Sequence, residues 1–519
     1  MSGAVAAAGA APPAARAGLR DWVAFLGGSL GAFMAVLDIQ ITNSSLADIQ
    51  GTLGASLDEG SWISTGYLIA EIIVIPMTGW LAGVFSLRRY LVVNALLFLG
   101  FSVLCGLATN LSEMILFRIG QGFCGGVLIP TAFTIMLIRI PGSQRAVAGA
   151  IFGLTLTFAP AIGPAIGGWL TDTYSWHWIF YINLIPGAAL VAMIWWGLDP
   201  QPMRLEQLAR GDWTGIACMA IGLGSLEYVL EEGQRKDWFG DRSIVLCAVL
   251  AAVFTTAFLA VELLKKEPFI DLRLLRRRSL SAACAVNFAT GLALYGTVYI
   301  LPLYLSRVQG YNASQIGEVQ MWMGLPQLAI LPFLPFVLRR FDSRAVLAFG
   351  ISLFAASCLM NGFGMSADTG MDQLKWSQLV RALGQPFIIS PLSQMATVGI
   401  GPAQAGAASA LFNMFRNLGG SFGIAMLATA AEHREHWHFS AIAERVTQNS
   451  VLLAERLGQM AQAAGPEGAL ARLAIQVRRQ ATVMGYADCF LLIGAGLLLS
   501  LLGIVFLSRA QAGRPGGGH

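Results

Sequence analysis

A single carboxylate interrupts the first long apolar stretch of the chain. From Trp22 to Leu37 the sequence reads WVAFLGGSLGAFMAVL without a charge, and Asp38 follows at once. About 20 apolar residues suffice for a bilayer-spanning helix, which places Asp38 in the last third of one. An acid there costs roughly 2.5–3.5 kcal/mol on insertion scales and normally faces a polar interior. The pattern predicts a proton-binding carboxylate on a transport path; an interfacial Asp that caps the helix end is the alternative.

Arg118 and Gln121 lie together in another apolar stretch, which reads LFRIGQGFCGG. An arginine there is too costly to face lipid, and it normally pairs with an acid or binds backbone carbonyls in a wet interior. Asp38 is one candidate partner. Arg118 therefore joins the predicted proton-coupling group, and a structural lock between helices is a second interpretation that is compatible with the first.

Two further acids, Glu71 and Glu227, are also predicted to be buried in apolar runs. Glu71 follows Tyr67 by four residues and precedes Pro76, so it could face the transport path as a substrate or proton group. We include it in the predicted proton-coupling group. Glu227 is interpreted first as an anchor for its own helix and second as a transport residue.

Polar and aromatic residues inside the predicted spans are candidates to line the substrate path. Asn413 and Arg416 are three residues apart, on one helical face, and Tyr295 and Tyr299 are four apart. Most residues of this kind are simply core or lipid-facing, which is the competing interpretation. The predicted substrate path consists of Asn43, Gln121, Tyr295, Tyr299, Arg381, Asn413 and Arg416.

The composition sets these residues in a membrane. The chain has 519 residues, of which 56% are hydrophobic and 12% charged, with a mean hydropathy of +0.64. Soluble globular proteins carry about 25% charged residues, so this is a polytopic protein of the lipid bilayer. The net charge of +4 is spread over loops and does not suggest nucleic acid.

Fourteen apolar runs predict fourteen membrane spans. They cover residues 23–42, 61–83, 90–108, 113–138, 145–170, 178–198, 212–231, 243–264, 280–305, 315–338, 344–365, 376–398, 404–427 and 483–508. With the N-terminus inside, nineteen lysines and arginines lie in cytoplasmic segments and five in the short outer loops. This bias predicts a multi-pass membrane protein with both termini in the cytoplasm.

A weak internal repeat divides the chain. LFRIGQGFCGG around Arg118 is echoed by LVRALGQPFII around Arg381, 263 residues later and eight spans further on. Two six-span repeats would be six spans apart, so two spans were inserted between the halves. The predicted organisation is a cytoplasmic tail (1–20), an N-terminal six-helix bundle (21–200), two inserted helices (201–265), a cytoplasmic linker (266–279), a C-terminal six-helix bundle (280–508) that includes a periplasmic helical hairpin (428–482), and a cytoplasmic tail (509–519).

The fifth span carries a distinctive string, FAPAIGPAIGGWL, with Pro160, Gly163, Pro164, Gly167 and Gly168. Gly163 and Gly167 form a small face that allows close helix packing. The prolines free backbone carbonyls and are expected to bend the helix.

This string resembles the antiporter motif of the major facilitator superfamily, whose kinked helix is thought to seal the central path against leakage. LDIQITNSSLADIQ (37–50) resembles the first-helix signature of the fourteen-span drug:proton antiporters, with Asp38 and Asn43 at matching positions. WHWIFYINLIPG (176–187) and SALFNMFRNLGGSFG (409–423) agree with the same family. The resemblance covers about residues 20–508 and is strongest to the EmrB-type permeases, which implies the bacterial inner membrane as the location.

The string GWLAGVFSLRRYL (79–91) resembles the superfamily loop that follows the second span, with Gly79, Arg88 and Arg89 as its predicted gating residues. Gly83 stands where that loop usually has an acid, so the charge relay of that loop is not expected here. Arg88 and Arg89 are expected to meet lipid phosphates or a helix end of the other bundle.

The segment from 428 to 482 is the longest outside the predicted spans. We predict two helices joined near Gly465–Pro466. By spacing alone His433 and His436 could share a metal, but no thiol or clear further ligand accompanies them, and no metal is predicted. The resemblance implies contact with an EmrA-type periplasmic adaptor (a membrane fusion protein) and, through it, an outer-membrane channel.

The sequence therefore predicts an all-α major facilitator fold of fourteen helices and a proton-coupled antiporter that expels hydrophobic or amphipathic small molecules, with the proton as coupling ion and no cofactor. An exporter of one endogenous metabolite or siderophore on the same fold is the alternative. An enzyme or ATP-driven pump is not expected, because none of the four lysines lies in GxxxxGK[ST] and no HExxH occurs.

Overall fold

The computed structural model describes residues 16–142, 144–209, 211–265, 268–330, 333–396, 398–401, 404–446 and 451–507, and all regular structure in these ranges is helical. Each of the fourteen predicted spans coincides with a helix or a pair of consecutive helices. They are α1 (Leu19–Ser44), α2 (Trp62–Phe85), α3 (Leu87–Leu107), α4 (Leu111–Arg139), α5 (Arg145–Thr173), α6 (Trp178–Gly197), α7 (Trp213–Glu232), α8 (Arg242–Leu264), α9 (Arg278–Arg307), α10 (Ala313–Ile330, then Leu334–Arg340), α11 (Ser343–Gly364), α12 (Met371–Gly384, then Pro386–Ala396), α13 (Ala405–Arg445) and α14 (Val451–Ile504).

Eleven helices in the described residues are long and apolar enough to cross a membrane. The other three, α10, α12 and α13, are the polar ones. Helix α12 is divided at Gln385, and the first half of α13 carries Asn413, Arg416 and Asn417. The polar residues that lower the hydropathy of these helices are largely buried, as expected for a transport interior.

Two bundles meet along two seams. Helices α1 and α4–α6 pack together, as do α9, α11, α13 and α14, while α5 packs on α10 and α2 packs on α13 across the bundles. Small residues allow this close approach. A Cβ on Gly163 or Gly167 of α5 would lie 2.5 Å from Gln40 Cβ or 2.2 Å from Ser44 Oγ of α1. A Cβ on Gly317 of α10 would lie 2.2 Å from Ala165 Cβ. Helix α5 is therefore held tightly between α1 and α10, and it continues through Pro160 and Pro164 without interruption.

The inserted helices α7 and α8 pack on each other and cover only one seam. Helix α7 contacts both α2 and α13. Helix α8 turns Leu246, Val249 and Val253 outward, each more than half exposed, which is the pattern of a lipid-facing helix.

We call the face that holds Leu19 the near face and the one that holds Ser44 the far face. The two bundles are joined on the near half of the molecule. Phe133 of α4 stacks on Phe412 of α13 with ring centroids 5.3 Å apart, and Ser409 Oγ donates to the Pro130 carbonyl at 2.8 Å. This conformation is closed toward the near face.

The long segment on the far face differs from the predicted pair of helices. A break does occur at Gly465, where φ is 74°. However, α13 runs unbroken to Arg445 and a further helix begins at Val451, so the described residues of the segment contain three helical stretches. The linker at 266–267, the residues 447–450 and most of both predicted tails lie outside the described residues.

Candidate functional site

Asp38 lies at the centre of a buried polar network inside the N-terminal bundle. Its carboxylate accepts hydrogen bonds from Arg118 Nη1 at 2.6 Å, Asn183 Nδ2 at 2.8 Å and Gln121 Nε2 at 3.0 Å. Asp38 and Arg118 are each 1% exposed. Helices α1, α4 and α6 thus meet at one carboxylate, and Asp38 is not an interfacial cap.

Arg118 makes further hydrogen bonds and a cation–π contact besides its ion pair with Asp38. Its Nε donates to the Ile63 carbonyl at 3.2 Å and its Nη1 also donates to Gln121 Oε1 at 2.7 Å. The guanidinium lies 4.3 Å from the centre of the Tyr67 ring, a cation–π arrangement. The pair is thus fully desolvated and charge-assisted, and neutralising Asp38 would leave a buried cation without its counter-charge.

Two members of the network were not predicted. Asn183 of α6 and Ser102 of α3 are buried, and Ser102 Oγ accepts from both Asn183 Nδ2 (3.1 Å) and Gln121 Nε2 (3.2 Å). The signal for Asn183 was its position in WHWIFYINLIPG. Ser102 gave no signal, because a serine in an apolar helix is common.

A second polar group lies at the seam between α2 and α13. Glu71 is 4% exposed, and its Oε1 lies 3.4 Å from Asn417 Nδ2. The neighbouring Arg416 is 2% exposed and its Nη2 lies 3.4 Å from Asn417 Oδ1, while its Nε and Nη1 have no hydrogen-bond partner in the described chain. This seam therefore joins an acid of one bundle to a basic residue of the other.

A cavity of about 520 Å³ opens between the bundles on the far half of the molecule. Its walls are aromatic, aliphatic and uncharged polar side chains, and none of them is ionised. They are Gln40, Asn43, Ser44, Pro164, Tyr295, Val298, Tyr299, Pro302, Leu303, Ser306, Tyr311, Asn312, Ile316 and Ile424. Such a volume and lining suit a small, largely apolar molecule.

The predicted substrate-path residues divide into two sets. Asn43, Tyr295 and Tyr299 line the cavity. Gln121, Arg381, Asn413 and Arg416 do not line it; each is at most 4% exposed. In this conformation the side chains of the second set are buried and lie off the cavity, and their part in the path stays a prediction.

Arg381, the repeat counterpart of Arg118, has a different partner. The Gln385 amide lies between Arg381 Nε at 3.0 Å and Gln327 Nε2 at 2.9 Å, and Thr157 of α5 donates to Gln327. Arg381 also lies 5.0 Å from the centre of the Phe354 ring. The C-terminal bundle thus uses amides where the N-terminal bundle uses Asp38.

The gating-loop residues lie on the near half. Gly79 packs against the backbone of Gly406. The Arg88 guanidinium lies 4.1 Å from the centre of the Trp195 ring in its own bundle. Arg89 is exposed. Acidic residues on this face form ion pairs of their own. Asp199 pairs with Arg139 at 3.0 Å and Arg20 at 3.5 Å, and the hydrogen bond and charge of Arg139 lower the Asp199 pKa.

The three histidines of the far-face segment have different surroundings. His438 Nε2 lies 2.7 Å from Asp488 Oδ2, which also pairs with Arg434 at 2.5 Å, while His433 and His436 are exposed. Within the described ranges, no three His, Cys, Asp or Glu side chains are grouped to hold an ion. The cluster joins the extension of α13 to α14.

This architecture is that of a secondary transporter. It has two helix bundles, a cavity at their junction and buried charged side chains on helices that pack against each other across the seam. A family model described as Major Facilitator Superfamily matches residues 28–424. The chain belongs to this superfamily.

The chain is also similar in sequence to several export and resistance proteins. The chain is 35% identical over 439 residues to the colistin resistance protein EmrB of Acinetobacter baumannii, covering 85% of this chain and 86% of that protein. It is 31% identical over 496 residues to the multidrug export protein EmrB of Escherichia coli (94% and 96% covered). Over 510 residues it is 31% identical to the fatty acid resistance protein FarB of Neisseria gonorrhoeae (98% and 99% covered).

Solved structures support the fold alone. The human organic anion transporter MFSD10 aligns with a TM-score of 0.59 at 13% identity, covering 95% of this chain and all of that one. The proton:xylose symporter XylE aligns with the same score and identity, covering 93% and 94%.

Proposed function

We propose that this chain is a proton-coupled antiporter that exports hydrophobic or amphipathic small molecules, drugs among them, across the bacterial inner membrane, with both termini in the cytoplasm. The observation that carries the proposal is Asp38, a buried carboxylate held by one arginine and two amides, two residues before Gln40, which lines the cavity between the bundles. Relatives that cover most of the chain and bear the names of export and resistance proteins support it.

The proposed cycle uses the two states of Asp38. With the far face outward, the present conformation receives protons from outside. Protonation removes the charge that holds Arg118, which weakens the contact between α1 and α4. Because α1 also packs on α5, which packs on α10 of the other bundle, this change reaches the seam along which the bundles rock. Substrate from the cytoplasm or inner leaflet then displaces the proton. Each charge that crosses the membrane supplies about 2.3 kcal/mol per 100 mV, so one proton supports a roughly fiftyfold gradient of a neutral molecule.

The proposal includes an assembly with a periplasmic adaptor of the membrane fusion type and an outer-membrane channel. Helix α13 has 41 residues, and at 1.5 Å per residue it is about twice as long as the 30 Å hydrocarbon core is thick. Arg434 and His438, both bound to Asp488, brace this extension against α14. A braced helical segment that projects from the far face suits a protein partner.

The test is export of a fluorescent amphipathic dye by purified protein in liposomes with an imposed pH gradient. We expect dye movement that follows the gradient and ends when a protonophore collapses it. Gradient-independent movement would contradict proton coupling. Movement of a single metabolite and no dye would favour the narrow exporter over the drug exporter.

A further inference from the structure

Glu227 is a buried acid on the inserted helix α7 that the proposed cycle does not use. It is 2% exposed. Its Oε1 accepts a hydrogen bond from Ser421 Oγ of α13 at 2.7 Å, while its Oε2 is buried and has no hydrogen-bond partner in the described chain. The carboxyl is therefore only half satisfied, although it lies where α7 touches both bundles.

One face of α13 links Glu227 to Glu71. Asn417 and Ser421 are four residues apart and share that face. Ser421 Oγ lies 2.7 Å from Glu227 and 3.3 Å from the Asn417 carbonyl, and the Asn417 side chain reaches Glu71 at 3.4 Å. Asn417 and Ser421 thus form a strip on α13 that contacts a carboxyl of the inserted helix and a carboxyl of the N-terminal bundle. The two carboxyls are close enough for their charges to interact.

The charges of this strip do not balance. Arg416 is the cation beside it, and it offsets Glu71. The other titratable groups that interact electrostatically with Glu227 are Glu231 on its own helix and Tyr295 on α9. Neither of them supplies positive charge. An ionised carboxylate that is buried without a cation and with one bare oxygen is far costlier than the neutral acid.

We propose that Glu227 is a second transported-proton site, supplied by the inserted helices; this inference rests on the proposed function. Glu227 holds a proton as a neutral acid in the present conformation. It lies five residues before the far-face end of α7 at Glu232, about 7.5 Å along the axis, so protons reach it from the far face. Movement of α13 against α2 breaks the Ser421 contact and opens the seam. The O–H bond then breaks, the proton passes to water, and a carboxylate remains.

The first experiment measures the protonation state of Glu227 independently of transport. Infrared difference spectra of purified wild type and Glu227→Gln should reveal a carboxylic acid C=O band that shifts in D2O and is lost in the variant. Glu262→Gln is the matched control, because Glu262 is a buried acid on α8, away from this strip. The Glu227 band should persist in it. Absence of any such band at every pH at which the protein is folded would overturn the proposal, whatever the outcome of the dye assay.

The second experiment separates proton carriage from anchoring. Gln keeps an oxygen that accepts from Ser421 but cannot titrate. If Glu227 carries a proton, Glu227→Gln lowers the dye gradient sustained at 100 mV by roughly fiftyfold, the share of one proton, while exchange of dye at equal concentrations continues. An unchanged gradient would assign Glu227 to anchoring and overturn the proposal. Wild type that moves no dye would contradict the proposed function and leave the infrared result to decide this site.

Discussion

Gly79 of α2 and Gly406 of α13 touch backbone to backbone across the near half of the seam. A Cβ on Gly79 would lie 2.9 Å from the Gly406 carbonyl carbon, whereas a Cβ on Gly406 would lie 3.2 Å from Gly79 Cα. Closure of the near face therefore depends on the absence of a side chain at Gly79.

The first prediction follows from this contact. We expect Gly79→Ala to hold the near half open, because the clash is with backbone, which cannot rotate away. Gly406→Ala should do so more weakly, and Gly83→Ala not at all, since no atom lies within 4 Å of its Cβ. Substrate export should fall in the same order.

The measurement is electron–electron distance between spin labels at Ile138 and Phe341, exposed positions on the near ends of the two bundles. The partly exposed Cys218 and Cys247 are replaced first. A longer mean distance in Gly79→Ala than in Gly83→Ala is expected. Equal distances in both variants would show that this contact does not control closure.

The second prediction concerns Asp38→Asn. The amide keeps the shape but not the charge, so Arg118 loses its counter-ion, a change that costs about 3–5 kcal/mol for a buried pair. Uphill export should be abolished, downhill exchange should persist, and the melting temperature in detergent should fall. Asp21→Asn, on the same helix but 26% exposed, is the control and should retain export. Undiminished uphill export by Asp38→Asn would remove this residue from coupling.

Part of this site could be predicted from sequence for a simple reason. Asp38 and Arg118 are each intolerable in lipid, so a partner had to exist, and the structure brings them to 2.6 Å. Asn183 and Ser102 carry no charge, and apolar helices tolerate them, so nothing marked them as partners.

The orientation of α13 could not be predicted. Asn413 and Arg416 were correctly placed on one helical face, but which way that face points depends on packing against α9. Gly419 and Gly423 set this rotation, because a Cβ on either would lie 2.1 Å or 2.7 Å from a backbone oxygen of α9. Contacts of this kind depend on both helices and leave no periodic trace in either.

The third prediction is a stabilising substitution at Ser86, between α2 and α3. Ser86 has φ 72° and ψ 131°, a conformation that L residues rarely adopt and that costs about 1–3 kcal/mol. Ser86→Gly should relieve this strain, offset by about 0.5–1 kcal/mol of glycine entropy, and raise the melting temperature. Ser86→Ala keeps the Cβ and should not. A glycine variant no more stable than the alanine variant would show that the loop is unstrained.

The fourth prediction separates transport from assembly. Leu470 and Ile475, on the far-face segment, are 59% and 67% exposed. If an adaptor covers them, Leu470→Glu and Ile475→Glu should leave dye export by liposomes unchanged but reduce drug resistance of cells with two membranes. Equivalent charges at exposed sites on the near face, such as Phe341→Glu, should not reproduce this pattern. Unaltered resistance would place the adaptor contact elsewhere.

The fifth prediction tests the cavity. Tyr295 and Tyr299 are one turn apart on α9 and both line it. Tyr299→Ala removes an aromatic contact worth about 0.5–1.5 kcal/mol, so the Kd for an aromatic amphiphile should rise roughly two- to twelvefold. Tyr299→Phe, which keeps the ring, should bind nearly as wild type does. Tyr174→Ala, which removes a ring 61% exposed outside the cavity, is the control. Binding is read by fluorescence titration of purified protein. If Tyr299→Ala and Tyr174→Ala have equal Kd values, the ligand binds elsewhere. The seam around Arg416 is then the next position to substitute, because Arg416 Nε and Nη1 are buried donors without a hydrogen-bond partner in the described residues.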